Sequence, residues 1–180
     1  KMTYNIRDNG SAVYVNNLDE LKDAILSAAD GDVIYLNECN DALGYYNLGS
    51  TGFDYPSRFV DLTIKPAPDK KPIVFGTFKS KTSKMKLKTF TLDGLTFDAT
   101  GKTDAEGCAP IFMLGSDTIK TLLNIKNCSF INLGKAGGGR IVDANSCDKS
   151  CVKKFIFENN IVENFGYDAL PGATGQTFMQ

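Results

Sequence analysis

The 180-residue sequence predicts an all-β fold, namely a single-stranded, right-handed parallel β-helix of about five coils with three strands in each. Three observations support this prediction. A helical period occurs once, near the N-terminus, and does not return. Four later segments then superimpose with apolar residues in the same columns, and their anchors are spaced by 28, 33 and 32 residues. In three of these segments the pattern bends at a Gly or Asn residue, which is typical of a solenoid corner.

The first elements of the chain are a strand-like stretch at 12–15 and a helix. The helix is predicted over 17–30, within "NNLDELKDAILSAADGDVIYL", because apolar residues recur at helical spacing and acidic residues occupy the first turn. Asn17 is placed to cap this helix, and Gly31 follows its end. A strand is predicted next, at 33–36. We expect the helix to cap the N-terminal end of the coils.

The rest of the chain is predicted to consist of short strands and turns. The superimposed segments are "LTIKPAP" (62–68), "FTLDGLTFDAT" (90–100), "LNIKNCSFINL" (123–133) and "FIFENNIVENF" (155–165). Alternation of apolar and polar residues indicates strands with one buried face. The phase slips at Gly94, Asn127 or Asn159, which indicates a tight bend, because Gly and Asn tolerate positive φ. A third short strand is predicted at 71–76, 109–115 and 139–145.

Stacked coils place equivalent residues about 4.8 Å apart, so each residue must tolerate its equivalent as a neighbour. Charges alternate in sign along one column, which contains Lys65, Asp93, Lys126 and Glu158. This alternation avoids contact between like charges. Asn127 is expected to lie over Asn159, and Asn132 over Asn164, where side-chain amides can form hydrogen-bonded ladders.

Residues 1–180 are expected to form one domain, with coils over 32–165. The tail at 166–180 either covers the far end or marks where a longer β-helix was cut. No stretch approaches the roughly 18 apolar residues of a membrane span. The N-terminus lacks the apolar region of a signal peptide, so we expect that any export signal has been removed or never existed, and that the chain as given is soluble.

Composition excludes several classes of function. The chain has 20 basic and 21 acidic residues, so the strongly basic surface of a nucleic-acid-binding protein is not indicated. It has no histidine, which excludes a Ser-His-Asp triad, a Cys-His pair and a histidine-ligated zinc site. It also has no tryptophan, so any stacking platform for a sugar ring must come from Tyr or Phe.

The sequence contains five cysteines, Cys39, Cys108, Cys128, Cys147 and Cys151. No C-x-x-C spacing occurs, so neither a zinc knuckle nor a thioredoxin-type motif is indicated. Buried free thiols are the expected state. A disulfide between Cys147 and Cys151 is the alternative in an oxidising compartment.

The capping segment "LDELKDAILSAADGDVIYL" and the Asn-cornered coils resemble the right-handed β-helix proteins of the pectate-lyase-like superfamily. The similarity covers residues 13–165. It is greatest to chondroitinase B and alginate lyase-like proteins and to secreted β-helix domains of gut bacterial polysaccharide-degrading systems. The resemblance implies an exported protein that cleaves acidic polysaccharides by β-elimination, with Ca²⁺ or a basic side chain neutralising the uronate carboxylate. No stretch matches the family's catalytic motif, so no catalytic residue is assigned.

Candidate substrate-binding cations occur in two places. Lys79 and Lys81 belong to the basic run "KSKTSKMKLK", which would either attract an anionic glycan or form a solvated loop. Arg140 follows three glycines, where a bare backbone would let a ligand approach. Flexible turn glycines explain this run equally well.

Candidate aromatic contacts are Tyr45, Tyr46 and Tyr55, in the long loop from 44 to 59. These rings would either stack on sugars or fold over the first coil and shield it. Asp104 and Glu106 are candidate Ca²⁺ ligands, although a calcium site needs six or more oxygens and this loop supplies few.

We therefore expect a carbohydrate-associated β-helix domain that binds an acidic polysaccharide or cleaves it by β-elimination. The expected location is extracellular, at the cell surface or periplasmic, with flanking domains in the full-length protein. The alternative is a non-catalytic structural or adhesive spacer domain of a larger extracellular protein.

Overall fold

The computed structural model describes residues 5–7, 10–49, 52–81, 85–102, 110–112, 120–133, 141–143 and 152–164. The chain folds as a parallel β-solenoid of about three turns with one short α-helix. Its elements are β1 Asn5–Arg7, β2 Gly10–Val15, α1 Leu18–Leu26, β3 Asp32–Leu36, β4 Tyr46–Asn47, β5 Val60–Pro66, β6 Ile73–Phe75, β7 Phe78–Lys79, β8 Leu87–Asp93, β9 Thr96–Asp98, β10 Ile111–Phe112, β11 Thr121–Lys126, β12 Ser129–Ile131, β13 Val142–Asp143, β14 Val152–Glu158 and β15 Ile161–Glu163.

The strands form three sheets. Their orders are β1-β2-β3-β5-β8-β11-β14, β4-β6-β9-β12-β15 and β7-β10-β13. All pairings between these strands are parallel except the antiparallel pair β1–β2. Three turns, which start at β5, β8 and β11, contribute a strand to every sheet. The flanking pairs β3–β4 and β14–β15 contribute to two sheets within the described residues, so the prediction of about five coils with three strands each is not confirmed.

Residues that share a column when the repeats are aligned in the sequence also pair with one another in the seven-stranded sheet. Ile64 pairs with Leu92, Leu92 with Ile125, and Ile125 with Phe157. The first three side chains are fully buried, so the stacked columns form the hydrophobic core. Phe130 continues a second column, with its ring 5.3 Å from that of Phe97 and nearly parallel to it.

The predicted bends lie where the backbone enters the left-handed region. Gly94, Asn127 and Asn159 have φ values of 73°, 56° and 54°, and they occupy the same corner of successive turns. Asn132 and Asn164, at the next corner, have φ values of 56° and 51°. Gly and Asn adopt this conformation at the lowest cost, which explains their recurrence.

One strand assignment from the sequence is wrong. The segment 71–76 was expected to be the third strand of its turn, but β6 lies in the second sheet, where Val74 pairs with Phe97. The third position is taken by β7, because Phe78 pairs with Ile111. The first corner of this turn is a longer loop, closed by a hydrogen bond from the Lys70 amide to the Ala67 carbonyl, so the second strand starts later in the chain.

The helix begins where predicted and ends earlier. Asn17 caps it, since its Oδ1 accepts a hydrogen bond from the Glu20 amide at 2.9 Å. The helix ends at Leu26. Beyond it, the Ala29 amide donates to Asp32 Oδ2 at 2.7 Å and not to a carbonyl oxygen of the helix. Within the described part of the chain, no helix has the length and hydrophobicity that a membrane span requires.

Candidate anion-binding groove

An open groove of about 630 Å³ crosses the seven-stranded sheet near the starts of β5, β8, β11 and β14. Its lining residues are Phe59, Asp61, Lys88, Thr89, Lys120, Leu122 and Lys153. Each of four successive turns contributes at least one of them. The groove therefore runs across the strands, along the axis of the solenoid.

A bulge in β8 delivers Lys88 to this groove. Val60 of β5 pairs with Leu87 of β8. The next residue of β5, Asp61, pairs with Thr89, so Lys88 is the extra residue of β8. Bulges are rare in parallel sheets, and they re-aim side chains at sheet edges and near active sites.

A second bulge, in β14, delivers Lys153 in the same way. Thr121 of β11 pairs with Val152. The next residue, Leu122, pairs with Lys154, so Lys153 is the extra residue of β14. Both bulges thus contribute a lysine to the same groove, and this coincidence makes the groove the strongest candidate site.

Lys88 is held by carboxylates at one end of the groove. Its Nζ donates to both oxygens of Asp30, at 2.9 and 3.0 Å, and lies 4.0 Å from Asp61 Oδ2. The hydrogen bond with Lys88 lowers the pKa of Asp30 and, conversely, raises the pKa of Lys88. Both groups are therefore charged at neutral pH, and the charge of Lys88 is compensated.

Lys120 and Lys153 differ from Lys88, because neither has a carboxylate within 4.0 Å in the part of the chain that is described. Both side chains are exposed. They lie on adjacent turns, just before β11 and in the bulge of β14. A cleft lined by one sign of charge attracts ions of the opposite sign.

The groove also offers apolar surface beside these cations. The ring of Phe59 is 44% exposed, although Phe is normally buried. Leu122, on β11, is half-buried and also lines the groove. The arrangement can therefore bind a ligand that carries negative charges and also an apolar face, such as the face of a sugar ring.

Lys88, the last residue of the basic run from the sequence, lies in the groove, but the candidates Lys79 and Lys81 do not line it. Lys79 ends β7, in the three-stranded sheet, and Lys81 Nζ forms an ion pair with Asp54 Oδ2 at 2.7 Å. Arg140 lies outside the described residues, as do the candidate calcium ligands Asp104 and Glu106. Among the residues that are described, no cluster of three or more Cys, Asp or Glu side chains could hold a metal ion.

The three predicted tyrosines are not in the groove either. Tyr46 is fully buried, and its hydroxyl lies 2.9 and 3.0 Å from the carbonyl oxygens of Val15 and Asn37. It therefore packs in the core and cannot stack on a sugar. Lys102 Nζ lies 4.4 Å from the ring centre of Tyr45, and Tyr55 packs against the core with its hydroxyl buried. Both observations favour the shielding role of this loop.

Of the two expected asparagine ladders, the structure shows a side-chain hydrogen bond in the pair Asn132 and Asn164, whereas the Asn127 side chain binds the preceding turn. Asn164 Nδ2 donates to Asn132 Oδ1 at 2.9 Å, and Asn132 Nδ2 donates to Thr100 Oγ1 at 2.6 Å. Asn127 Nδ2 donates to Asp93 Oδ1 at 2.7 Å. These bonds join adjacent turns and have a structural role.

Two of the groove cations, Lys120 and Lys153, were not predicted from the sequence. A signal was present, because Lys88, Lys120 and Lys153 are spaced by 32 and 33 residues, which is the period of the turns. A search for basic residues one period apart would have found them, whereas a search for basic runs selects neighbours in the chain.

Comparisons of the chain with protein-family models, with curated proteins and with solved structures found no match. The parallel β-solenoid agrees with the fold that the sequence resemblance implies. Membership of the pectate-lyase-like superfamily is therefore a proposal that rests on the sequence pattern and this fold.

Proposed function

We propose that this chain is a carbohydrate-associated, right-handed β-helix domain of the pectate-lyase-like type, and that it binds an acidic polysaccharide in the lysine-lined groove. We further propose that it belongs to a secreted or cell-surface protein. The observation that supports the proposal is the pair Lys120 and Lys153, exposed on adjacent turns without carboxylate partners among the described residues. Phe59, next to β5 at the other end of the groove, supplies an apolar face.

The physical reasoning favours a polymer over a small anion. An exposed ion pair contributes only about 0.2–1 kcal/mol, so a single anion would bind weakly. A polymer that lies along the groove presents successive anions to successive turns, and its contacts reinforce one another through effective concentration. The net charge of the whole chain is −1, so the attraction is local to the groove.

The same groove would suit β-elimination in one respect. That reaction needs a cation to neutralise the uronate carboxylate as the enolate-like state develops, and a lysine can supply it. It also needs a base, which in a chain without histidine would have to be a Lys, Tyr, Asp, Glu or Cys side chain, and no residue of the groove is assigned to that role. Binding is therefore the proposed activity, and cleavage is tested alongside it.

The experiment measures binding of polygalacturonate, alginate and chondroitin sulfate by calorimetry, with dextran as the neutral control. The variant Lys120→Gln/Lys153→Gln should bind the acidic glycan about 5–30-fold more weakly, if each lost contact contributes about 0.5–1 kcal/mol. The matched control is Lys70→Gln/Lys126→Gln, which removes the same charge. Lys70 follows β5 and Lys126 ends β11, so both are at the opposite ends of the strands.

Equal weakening in both double variants would refute the assignment to the groove, because it would indicate general attraction to the protein. A lack of binding to every acidic glycan would favour the structural or adhesive spacer. New ultraviolet absorbance from unsaturated uronate products would show that the domain also cleaves its ligand.

A further inference from the structure

We infer that the groove binds two anionic groups carried by adjacent residues of its ligand, and that Asp30 sets this limit by occupying Lys88. The inference rests on the proposed function, because it concerns the ligand of the same groove. It is carried by the difference between Lys88, which is paired, and Lys120 and Lys153, which have no carboxylate partner among the described residues.

Lys120 and Lys153 define the spacing of the anions. Lys120 immediately precedes β11 and Lys153 lies in β14, and these two strands are adjacent in the sheet. Adjacent strands are about 4.8 Å apart, which is comparable to the length of one sugar residue. A polymer with a carboxylate on every residue can therefore contact both lysines at once. A polymer with a carboxylate on every second residue places its charges about one turn too far apart.

Asp30 prevents Lys88, on β8, from acting as a third lysine for the ligand. Its carboxylate accepts two hydrogen bonds from Lys88 and a third, at 2.8 Å, from the Asp61 amide. The hydrogen bond from the Asp61 amide holds Asp30 in place. An anion of the ligand must therefore compete with Asp30 for Lys88. A third anion would also approach the Asp61 carboxylate, which lies 4.0 Å from Lys88 Nζ. Repulsion by these two carboxylates disfavours that contact.

The substitution Asp30→Asn tests this role by a predicted gain. The amide oxygen can still accept the Asp61 amide, while the negative charge that holds Lys88 is removed. Lys88 then becomes a third contact for the ligand. Affinity for a contiguous oligouronide should rise about 2–5-fold, and the slope of log K against log salt should steepen by about one.

Two variants accompany this test. Asp19→Asn is the matched control, because Asp19 pairs with Lys22 on α1, and it should leave affinity and slope unchanged. Asp30→Asn/Lys88→Gln should lose the gain, because the released lysine is absent. Melting temperatures of all variants show whether each remains folded.

The closing experiment titrates the protein with oligogalacturonides and with hyaluronan oligosaccharides of equal carboxylate number. We expect the oligogalacturonides to bind about 2–5-fold more tightly, since two ion contacts replace one and apolar contact is retained. Equal affinity for both series, or an unchanged salt slope in Asp30→Asn, would overturn this inference and leave the proposed function standing. Failure of both series and of the sulfated and guluronate polymers to bind would overturn both.

Discussion

Two adjacent asparagines at a corner of the last described turn have different roles, and substitutions should separate them. Asn159 has a φ of 54°, at the corner position that Gly94 occupies two turns earlier. Asn160 instead uses its side chain. Its Oδ1 accepts the Cys128 amide at 2.8 Å, and its Nδ2 donates to the Ile125 carbonyl at 2.9 Å. We expect Asn159 to be needed for its backbone conformation and Asn160 for its hydrogen bonds.

The magnitudes follow from these contacts. Asn160→Ala leaves a buried N–H and a buried C=O without partners, and each such group costs about 1–3 kcal/mol. Because Asn160 itself is only half-buried, water can reach part of the gap, and we expect a loss of about 2–4 kcal/mol in total. Asn159→Gly should change stability by less than about 0.5 kcal/mol, whereas Asn159→Ala should cost about 1–2 kcal/mol, because alanine resists positive φ.

Urea denaturation measures these changes in the free energy of unfolding, and amide hydrogen exchange shows which backbone amides lose protection. Exchange of the Cys128 amide should accelerate in Asn160→Ala and not in Asn159→Gly, because only the former removes its acceptor. Asn160→Asp is an intermediate case, since it retains the acceptor and loses the donor. Equal losses in Asn159→Gly and Asn160→Ala, or unchanged exchange of the Cys128 amide in Asn160→Ala, would refute the division of roles.

Two further predictions concern the core. Phe130 is fully buried between Phe97 and Phe157. In urea denaturation, Phe130→Ala should lower the free energy of unfolding by about 3–5 kcal/mol, and Phe130→Leu should lower it clearly less. Equal losses in the two variants would contradict a packing role. Burial raises the pKa of the Cys128 thiol from 9.0 to about 11. The unfolded chain therefore loses the thiol proton at a lower pH than the folded chain, and the free energy of unfolding should fall as the pH rises from 9.0 to about 11. Melting temperatures of Cys128→Ala should show a shallower fall over the same pH range, and parallel profiles would count against the assignment.

The two cysteines that the structure describes match the sequence expectation. Cys39 and Cys128 are free and buried. Cys108, Cys147 and Cys151 lie outside the described residues, so the disulfide between the last two is still a prediction. Burial of an apolar thiol is the general behaviour of cysteine, which is why composition predicts it without a structure.

The repeat register could be predicted because stacked turns place equivalent residues in contact. Ile64, Leu92, Ile125 and Phe157 share a column in the sequence and pair in the sheet. The corners were predictable for a similar reason, since a positive φ selects Gly or Asn locally. The charge column was visible too, as the ion pair of Lys126 and Asp93 at 3.5 Å shows.

The sequence by itself determined the winding of this chain, because its period, its apolar columns and its corner residues are all local or strictly repeated patterns. Only the tertiary structure decided which sheet receives β6 and where the groove lies. Both depend on small departures from the repeat, namely a longer corner loop and two single-residue bulges at Lys88 and Lys153. Such departures cannot be recognised until neighbouring strands are paired, because a bulge exists only relative to the strand beside it.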